Sequence, residues 1–386
     1  MDNRRLTLLT NFIPPYKVPL FERLGASFAQ FRVLISTEME PNREWEARWG
    51  RIDVVRQKSW MFRQPWKHPK GFEDSVYVHV PYDTLPQLWR SRPDLVISGE
   101  LGLRTVFARI YRMLNPRSRL VIWATLSESS EQGRGRLRNL LRRWLLRGAD
   151  GFIVNGQSGE RYLRSVAPIR VPVFHVPYAC DTRLFEPVAE RREAPAALAS
   201  RLVYVGRLIP LKGLGLFLQV VRRWAELHPQ RSLEFTLIGD GPLRREIEQE
   251  VYPPNLKVVC KGAVPYERVA EAYAEADFSV FPTLADEWGL VVNESLACGL
   301  PMLGSLYSQA VEELILDGNN GWHLVPDDLE ASYRALDKTL SSSQETRQRM
   351  SRAARQSVAN LTVPQVAERV IAAARSVLPG EPAGGE

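Results

Sequence analysis

The sequence predicts an α/β protein built from two successive domains, each with a parallel sheet. Short apolar runs alternate with longer amphipathic segments along most of the 386 residues, which is typical of strand–helix–strand units. A single hydrophobic core rarely grows beyond about 250–300 residues, so this length also indicates two domains. A polar, Ala- and Pro-rich stretch at 188–200 interrupts the alternation, which then resumes, and we interpret it as the linker.

Residues 1–187 form the first predicted domain. Its predicted strands are Leu6–Thr10, Phe31–Ser36, Asp94–Ser98, Leu120–Trp123, Gly151–Asn155 and Val173–Val176. Its predicted helices are Val18–Ala29, Leu103–Leu114, Leu137–Leu146 and Glu160–Ser165. Residues 37–81 show no clean period, as expected of short strands and a long functional loop.

Residues 201–362 form the second predicted domain, in which the pattern repeats. Its predicted strands are Arg201–Val205, Leu233–Ile238, Leu256–Lys261, Phe278–Phe281 and Pro301–Gly304. Its predicted helices are Leu214–His228, Leu243–Val251, Tyr266–Ala274, Val291–Ala297, Leu329–Leu340 and Gln344–Ser357. A last helix at 363–378 could pack back on the first domain, and we expect the Gly- and Pro-rich tail at 379–386 to be disordered.

The net charge of +7 is divided unevenly between the two halves. Residues 1–200 carry +12 and residues 201–386 carry −5, which indicates two surfaces that face different partners. The three cysteines and five histidines are scattered and form no ligand spacing, so we expect no metal and no redox centre. Without a recognisable signal peptide or membrane span, we expect a cytoplasmic protein that could still lie on a membrane surface.

Two glycine-containing turns follow strands of the second domain. Gly206 and Arg207 end the first strand, with Lys212 shortly after, where open α/β sheets bind ligands and where both cations could hold phosphate oxygens. An Arg and a Lys five residues apart are also commonly just solvated. Gly239 opens the segment Gly-Asp-Gly-Pro between a buried strand and a helix, which as a single feature could equally be an ordinary turn.

A third segment joins acidic residues to a helix start. Gly289 and Leu290 should lie at the helix N-terminus, whose free amides and dipole attract anions. Glu294 lies about one turn further on, where its carboxylate could accept hydrogen bonds from vicinal hydroxyls such as those of a ribose. Asp286 and Glu287 precede the helix, and a favourable interaction with its dipole would already account for both.

The ordered set VGRL-x3-KG, LIGDGP and DEWGLVVNESLACGLP resembles family 4 glycosyltransferases. The resemblance implies a retaining, nucleotide-sugar-dependent enzyme of the GT-B fold, with two Rossmann-like domains that face each other across a cleft. It implies that Arg207 and Lys212 hold the donor diphosphate, with the amides of the 289–290 segment. Glu294 would then bind the nucleotide ribose. The first acid of the E-x7-E motif would be Asp286, or Glu287 in a shifted register.

The first domain departs from the family pattern. Its first turn, at 12–16, contains no glycine, and the loop near 123–128 contains no histidine. The acceptor-side residues therefore cannot be transferred from the family. Tyr16, Glu100 and Glu128 are candidates, and a solvated surface position is the alternative for both acids.

The segment 134–147 carries six arginines around an apolar stripe with helical spacing. Arg134, Arg138, Arg142 and Arg143 could bind an anionic membrane surface or a lipid-diphosphate acceptor, on the inner face of the cytoplasmic membrane. A core helix with a solvated basic face is the alternative. We expect no nucleic-acid partner, because no recognition module accompanies the arginines.

The function expected from the resemblance is transfer of a sugar, with retention, from a UDP- or GDP-sugar to a hydroxyl of a glycan or lipid-linked acceptor. Cell-surface polysaccharide or lipopolysaccharide biosynthesis is the expected setting. Arg207, Lys212, Asp286 and Glu294 are the predicted catalytic residues, and no metal or other cofactor is expected. Two alternatives remain, a UDP-sugar 2-epimerase of the same fold and a catalytically silent nucleotide-sugar-binding subunit.

Overall fold

The computed structural model describes residues 2–41, 46–69, 71–132, 135–191 and 200–379. These residues form two compact units. The N-terminal unit takes its members from Met1–Trp66, Asp74–Ala179 and Val363–Glu386, and the C-terminal unit from Lys67–Glu73 and Cys180–Thr362. After Ala179 the chain therefore forms the C-terminal unit, and it returns to the N-terminal unit with its last helix.

A seven-stranded parallel sheet forms the centre of the N-terminal unit. Its strands are β1 (Asp2–Thr10), β2 (Phe28–Ile35), β3 (Asp53–Arg56), β6 (Leu95–Gly99), β7 (Arg119–Ala124), β8 (Gly151–Val154) and β9 (Val173–His175), in the order β3-β2-β1-β6-β7-β8-β9. Strands β4 (Ser59–Lys67) and β5 (Glu73–Pro81) form a separate two-stranded ribbon. Trp60, Met61 and Phe62 are exposed on this ribbon.

Both faces of this sheet are covered, which explains why its strands appear in the sequence as continuous apolar runs. The helices of the unit are α1 (Val18–Ser27), α2 (Thr84–Ser91), α3 (Leu103–Leu114), α4 (Arg136–Leu146), α5 (Gln157–Val166) and α14 (Val363–Val377). Leu6 and Leu8 of β1 point into a core shared with α1 and α14. Leu9 points into the opposite core, which α3, α4 and α5 share.

The C-terminal unit contains a six-stranded parallel sheet. Its strands are β10 (Arg201–Val205), β11 (Leu233–Ile238), β12 (Leu256–Gly262), β13 (Phe278–Phe281), β14 (Met302–Ser305) and β15 (Gly321–Leu324), in the order β12-β11-β10-β13-β14-β15. The helices are α6 (Glu186–Arg191), α7 (Leu214–Leu227), α8 (Arg244–Gln249), α9 (Tyr266–Ala274), α10 (Leu290–Ala297), α11 (Gln309–Leu314), α12 (Leu329–Leu340) and α13 (Gln344–Val358). The predicted α/β class with two Rossmann-like domains is confirmed.

The boundary between the units lies earlier than the sequence suggested. The first domain was expected to extend to residue 187, but the C-terminal unit begins at Cys180. The Cys180 amide donates a hydrogen bond to the Leu361 carbonyl, and Phe185 packs on the rings of Tyr266 and Tyr273. The first part of the predicted linker at 188–200 belongs to helix α6, and residues 192–199 lie outside the described residues.

The chain terminus is tied to the N-terminal unit. Helix α14 places Val366, Val370 and Ile371 in the same core as helix α1. The predicted final helix at 363–378 thus contributes to the N-terminal unit. Residues 380–386 of the predicted disordered tail lie outside the described residues. Within the described ranges, no helix has both the length and the apolar character to cross a bilayer.

Candidate functional site

The order of strands in the C-terminal sheet reverses direction between β10 and β13. In open parallel sheets, ligands bind in the crevice outside the carboxyl ends of the strands at this reversal. The segment 206–213 follows β10, and the segment 282–290 follows β13. Two of the three motifs that the sequence singled out therefore lie at this crevice.

Close backbone contact fixes the turns after β10 and β11. The Gly206 amide donates a 2.9 Å hydrogen bond to the Ile238 carbonyl. Gly239 has a φ of +128°, and a Cβ atom at this position would lie 2.0 Å from the Gly206 carbonyl oxygen. Only glycine fits here, because the obstacle is backbone and cannot move aside. Gly239 thus shapes the turn that carries Gly206 and Arg207, and Arg207 itself is partly buried.

Lys212 and Asp286 form the charged centre of the crevice. The Lys212 ammonium donates to Asp286 Oδ2 and lies 5.3 Å from the centroid of the Phe281 ring. The two side chains are only 16% and 17% exposed. The loops that carry them are also joined by backbone, since the Leu284 amide donates to the Leu211 carbonyl at 2.9 Å. The crevice therefore holds a half-buried ion pair made of residues from opposite sides of the strand reversal.

Of the two neighbouring acids, Asp286 is the one that contacts Lys212. Its second oxygen accepts a 3.2 Å hydrogen bond from the Trp288 amide. The neighbouring Glu287 side chain is exposed, and its backbone carbonyl accepts from the Gln309 side chain at 2.5 Å. The geometry thus favours Asp286 for the first acid of the motif.

Helix α10 begins at the crevice with free amides. Gly289 precedes its first residue, Leu290, with a φ of +99°, and no side chain of the described residues caps this start. A Cβ atom on Gly289 would lie 2.6 Å from the Phe281 ring. The preceding Trp288 is buried and donates its indole N–H to Asn293 Oδ1 at 2.8 Å, which anchors the helix start. Such a start favours an anion.

Glu294 lies one turn into helix α10 and is 6% exposed. Its carboxylate accepts a 3.3 Å hydrogen bond from the Tyr273 hydroxyl and interacts with the Tyr266 hydroxyl. Burial raises the pKa of Glu294 to about 7, while these hydroxyls act in the opposite direction. The same burial raises the pKa of Tyr273. The two tyrosines had no signal in the sequence, because Tyr266 and Tyr273 look like ordinary positions of an amphipathic helix.

Glu100 occupies the corresponding position in the N-terminal unit, directly after β6 at the strand reversal of that sheet. Its backbone has a φ of +68°, unusual for a residue with a side chain. Thr125 donates to its Oε1 at 2.5 Å, and its buried Oε2 has no hydrogen-bond partner among the described residues. Burial raises the pKa of this carboxyl. The alternative of a solvated surface acid is therefore wrong for Glu100.

Buried Arg104 lies near Glu100 and was missed by the sequence analysis. It donates to Ser36 Oγ at 3.2 Å, and its Nε has no partner among the described residues. Burial lowers the pKa of Arg104 to about 10, although the charges of Glu100 and Glu40 oppose this shift. No pattern in the sequence could distinguish this arginine from the others on amphipathic helices.

The other two acceptor-side candidates differ in their surroundings. Glu128 is exposed and pairs with Arg161 at 2.7 Å, as the solvated alternative expected. The Tyr16 ring packs at a tilt of 34° against the Tyr178 ring, with 5.8 Å between centroids, and the Lys17 ammonium lies 5.0 Å from the centroid of the Tyr178 ring. Tyr16 thus belongs to an aromatic group of the N-terminal unit.

The basic helix α4 only partly matches the expected membrane face. Arg142 is 1% exposed and pairs with Glu131 at 2.5 Å, so the expectation that it contacts a membrane is wrong. Leu141, Leu145 and Leu146 pack into the core of the N-terminal unit, and Arg142 lies on the same side of the helix. Arg138 is partly exposed and Arg143 is exposed. Arg134 lies outside the described residues.

Comparison with known proteins identifies the C-terminal domain. Residues 192–357 match the family model of glycosyl transferases group 1. A segment of 171 residues, 44% of this chain and 36% of the relative, is 29% identical to a phosphatidylinositol N-acetylglucosaminyltransferase subunit of Arabidopsis thaliana. The chain thus matches about a third of the length of that relative.

Two solved structures share the whole fold. Sucrose-phosphate synthase of Thermosynechococcus elongatus aligns with a TM-score of 0.68 at 18% identity, over 97% of this chain and 99% of that one. Anabaena HepE in complex with UDP aligns with a TM-score of 0.70 at 16% identity, over 96% and 100%. The chain therefore has the GT-B fold. Residues 192–357 of its C-terminal domain match the group 1 glycosyltransferases, an enzyme family, as the sequence motifs predicted.

Proposed function

We propose that the protein is a retaining glycosyltransferase that moves a sugar from a UDP- or GDP-sugar to a hydroxyl of a glycan or lipid-linked acceptor. The observation that carries this proposal is the Lys212–Asp286 ion pair beside the uncapped start of helix α10, at the strand reversal of a group 1 glycosyltransferase domain. Cations and free backbone amides can bind the oxygens of a diphosphate, and a carboxylate can accept hydrogen bonds from the hydroxyls of a sugar. This crevice contains all three kinds of group.

The proposed catalytic contribution of the C-terminal unit is electrostatic. Arg207, Lys212 and the amides of Gly289 and Leu290 would receive the negative charge that develops on the departing diphosphate. In the free protein the Lys212 ammonium is neutralised by Asp286. An arriving diphosphate would compete for this ammonium and release the carboxylate toward the sugar hydroxyls. Donor binding and sugar recognition would thus be coupled through one side chain.

We further propose that the transfer requires no metal ion. The side-chain cations and the helix start already supply positive charge at the diphosphate position. With retention, the leaving phosphate itself would take the proton of the attacking acceptor hydroxyl, as the family resemblance implies. Activity in excess EDTA equal to that in Mg²⁺ is the expected outcome.

The acceptor would bind to the N-terminal unit near the carboxyl ends of its strands. Glu100 Oε2 and Arg104 Nε are buried there without partners among the described residues, and such groups suit a polyhydroxylated ligand. The relative from Arabidopsis thaliana is named for an acceptor that is a phospholipid. This name supports a lipid-linked acceptor. We further propose that the acceptor is reached from the cytoplasmic face of a membrane, in cell-surface polysaccharide or lipopolysaccharide synthesis.

The test is product formation from a panel of UDP- and GDP-sugars with a panel of glycan and lipid-linked acceptors. Arg207→Ala, Lys212→Ala and Glu294→Ala should each lose at least about tenfold in turnover, since each removes a charged contact to the donor. Lys257→Ala is the matched control, because Lys257 is exposed and pairs with Glu234 in the same unit. NMR of the product reports the anomeric configuration.

Each outcome separates the proposal from its alternatives. Conversion of the donor without any acceptor would indicate a 2-epimerase. Nucleotide-sugar binding without turnover on any acceptor would indicate a catalytically silent protein. Turnover that is undiminished in all three variants would contradict the assignment of Arg207, Lys212 and Glu294 to the donor site.

A further inference from the structure

Helix α4 presents two different faces. Leu141, Leu145 and Leu146 face the core of the N-terminal unit. Leu140, Arg143 and Arg147, at spacings of three and four residues, share the opposite face. Leu137 and Leu140 are 81% and 63% exposed. A solvated helix face normally carries polar residues, so two exposed leucines beside two arginines need another explanation.

A basic pocket lies at the carboxyl end of this face. It has a volume of about 390 Å³ and is lined by Arg143, Arg147, Arg164 and the segment 165–168. Arg143 is held in place because its Nε donates to the Val166 carbonyl at 3.0 Å. The pocket thus brings together arginines from α4 and α5 that are up to 21 residues apart in the sequence.

The pocket keeps an excess of positive charge. Arg164 pairs with Glu160, which also binds His175 at 2.6 Å. Within the described part of the chain, Arg143 and Arg147 form no ion pair. The carboxyl ends of α4 and α5 attract cations, which explains why arginines are tolerated here but not why three of them surround one cavity.

We propose that this pocket binds the phosphate headgroup of an anionic lipid while Leu137 and Leu140 enter the membrane interface. Guanidinium groups suit phosphate oxygens, and exposed leucines on the same helix face suit the acyl boundary. Met113 and Leu114, at the end of the neighbouring helix α3, are 62% and 60% exposed and could extend the apolar surface. A soluble phosphate would account for the arginines but not for the leucines.

The proposal goes beyond the transfer reaction, because it requires neither donor nor acceptor. The experiment is co-sedimentation of the full chain with vesicles of phosphatidylcholine containing 30% phosphatidylglycerol, and with phosphatidylcholine alone, at ~0.05 M and ~0.5 M salt. The variants are Arg143→Gln/Arg147→Gln and Leu137→Ser/Leu140→Ser. Arg90→Gln/Arg117→Gln is the matched control, because it removes the same charge from exposed positions of the same unit outside the pocket.

The expected result is binding to the anionic vesicles only, weakened by high salt. Each basic residue near an anionic surface contributes about fivefold to the partition coefficient, so the pocket variant should lose about 25-fold. The leucine variant should also bind more weakly, and the control should lose clearly less than the pocket variant. Circular dichroism spectra of all variants should match the wild type.

Three results would overturn the proposal. Equal binding to neutral and anionic vesicles would show that the protein does not recognise an anionic headgroup. Equal losses in the pocket and control variants would indicate a general charge effect. Undiminished binding of the leucine variant would show that the pocket takes an anion without entry of the leucines into the membrane.

Discussion

Glu294, a proposed site residue, is a carboxyl group whose charged form is disfavoured by burial and favoured by two tyrosine hydroxyls. The sequence predicted its place one turn into a helix at the ligand crevice. It could not predict the burial or the tyrosine partners, because both come from helix α9, more than 20 residues away. A carboxyl group with a pKa of about 7 in the folded protein is partly protonated near neutral pH.

Glu294→Gln should stabilise the protein without nucleotide by clearly more at pH 8 than at pH 5. The pKa of this carboxyl is raised from 4.5 to about 7, so the folded state holds its proton more tightly than the unfolded state. The resulting stability is complete below pH 4.5 and is lost as the pH rises through 7. Glutamine stays neutral, and at ~1.4 kcal/mol per pH unit the variant could gain about 3 kcal/mol at pH 8.

Urea denaturation at the two pH values measures this difference. Glu287→Gln is the control, because its side chain is exposed and its effect should be the same at both values. A gain for Glu294→Gln that is equal at pH 5 and pH 8 would contradict the burial of an ionisable carboxyl.

Lys212 and Asp286 were both predicted as site residues, but their ion pair was not. They are 74 residues apart, and only the strand order brings them together. Lys212 thus places a cation in the crevice although this half of the chain is acidic overall. Asp286, which neutralises Lys212 in the free protein, is also the acid that we propose to contact the hydroxyls of the donor sugar.

Asp286→Asn should separate nucleotide binding from transfer. Without the competing carboxylate, the Lys212 ammonium is free for phosphate, so UDP should bind equally well or several-fold more tightly. Turnover should fall by about tenfold or more, because the proposed contact with the sugar is weakened. The measurements are calorimetric titration with UDP and steady-state kinetics. A loss of UDP affinity in parallel with turnover would contradict the proposal that the diphosphate competes with Asp286 for the Lys212 ammonium.

At the scale of elements, the strands were the easiest to predict. Parallel strands buried on both faces leave continuous apolar runs, and every strand named in the sequence analysis has a counterpart in the two large sheets. Helices α2, α6 and α11 and strand β15 were missed. They are only four to eight residues long, and α6 lies in the polar stretch that suggested a linker. Tertiary packing decides the structure of such short segments.

Gly239→Ala should disrupt the crevice around Lys212 while Gly215→Ala should not. The new Cβ atom at 239 would lie 2.0 Å from the Gly206 carbonyl oxygen, so the turn with Arg207 would have to shift. At Gly215, on helix α7, a Cβ atom meets nothing within 4 Å, so alanine should stabilise the helix by up to about 1 kcal/mol. Thermal unfolding with and without UDP compares the two, and equal melting temperatures would contradict the close contact.

For the whole molecule, the division of charge that the sequence showed now corresponds to separate surfaces. The −5 half contains the Lys212 crevice, and part of the +12 half is concentrated in the arginines of α4 and α5. The sequence predicted two domains but could not locate their boundary at Cys180. This boundary is set by the hydrogen bond from the Cys180 amide to the Leu361 carbonyl and by the packing of Phe185 on Tyr273. Both contacts join residues far apart in the sequence, so the local hydrophobic pattern does not reveal them.

Ile371→Ala should destabilise the N-terminal unit although the residue lies at the far end of the chain. Ile371 is 3% exposed in the core shared with helix α1, and truncating such a side chain removes about 2–4 kcal/mol of unfolding free energy. Glu368→Ala, on the exposed face of the same helix, should change the stability by less than about 0.5 kcal/mol.

Limited proteolysis followed by mass spectrometry locates the effect of Ile371→Ala. The first new cleavages should fall within residues 1–179. First cleavages within 200–362 would show that helix α14 stabilises the other unit instead.

The central claim is that the crevice around Lys212 binds the diphosphate of the sugar donor. Calorimetric titration of the wild type, Lys212→Ala and the control Lys257→Ala with UDP and GDP tests it most directly. We predict that the wild type and the control bind one of these nucleotides equally well. Lys212→Ala should bind at least about tenfold more weakly, since it loses a charged hydrogen bond and leaves the Asp286 carboxylate unpaired. Equal affinity in all three proteins would contradict the claim.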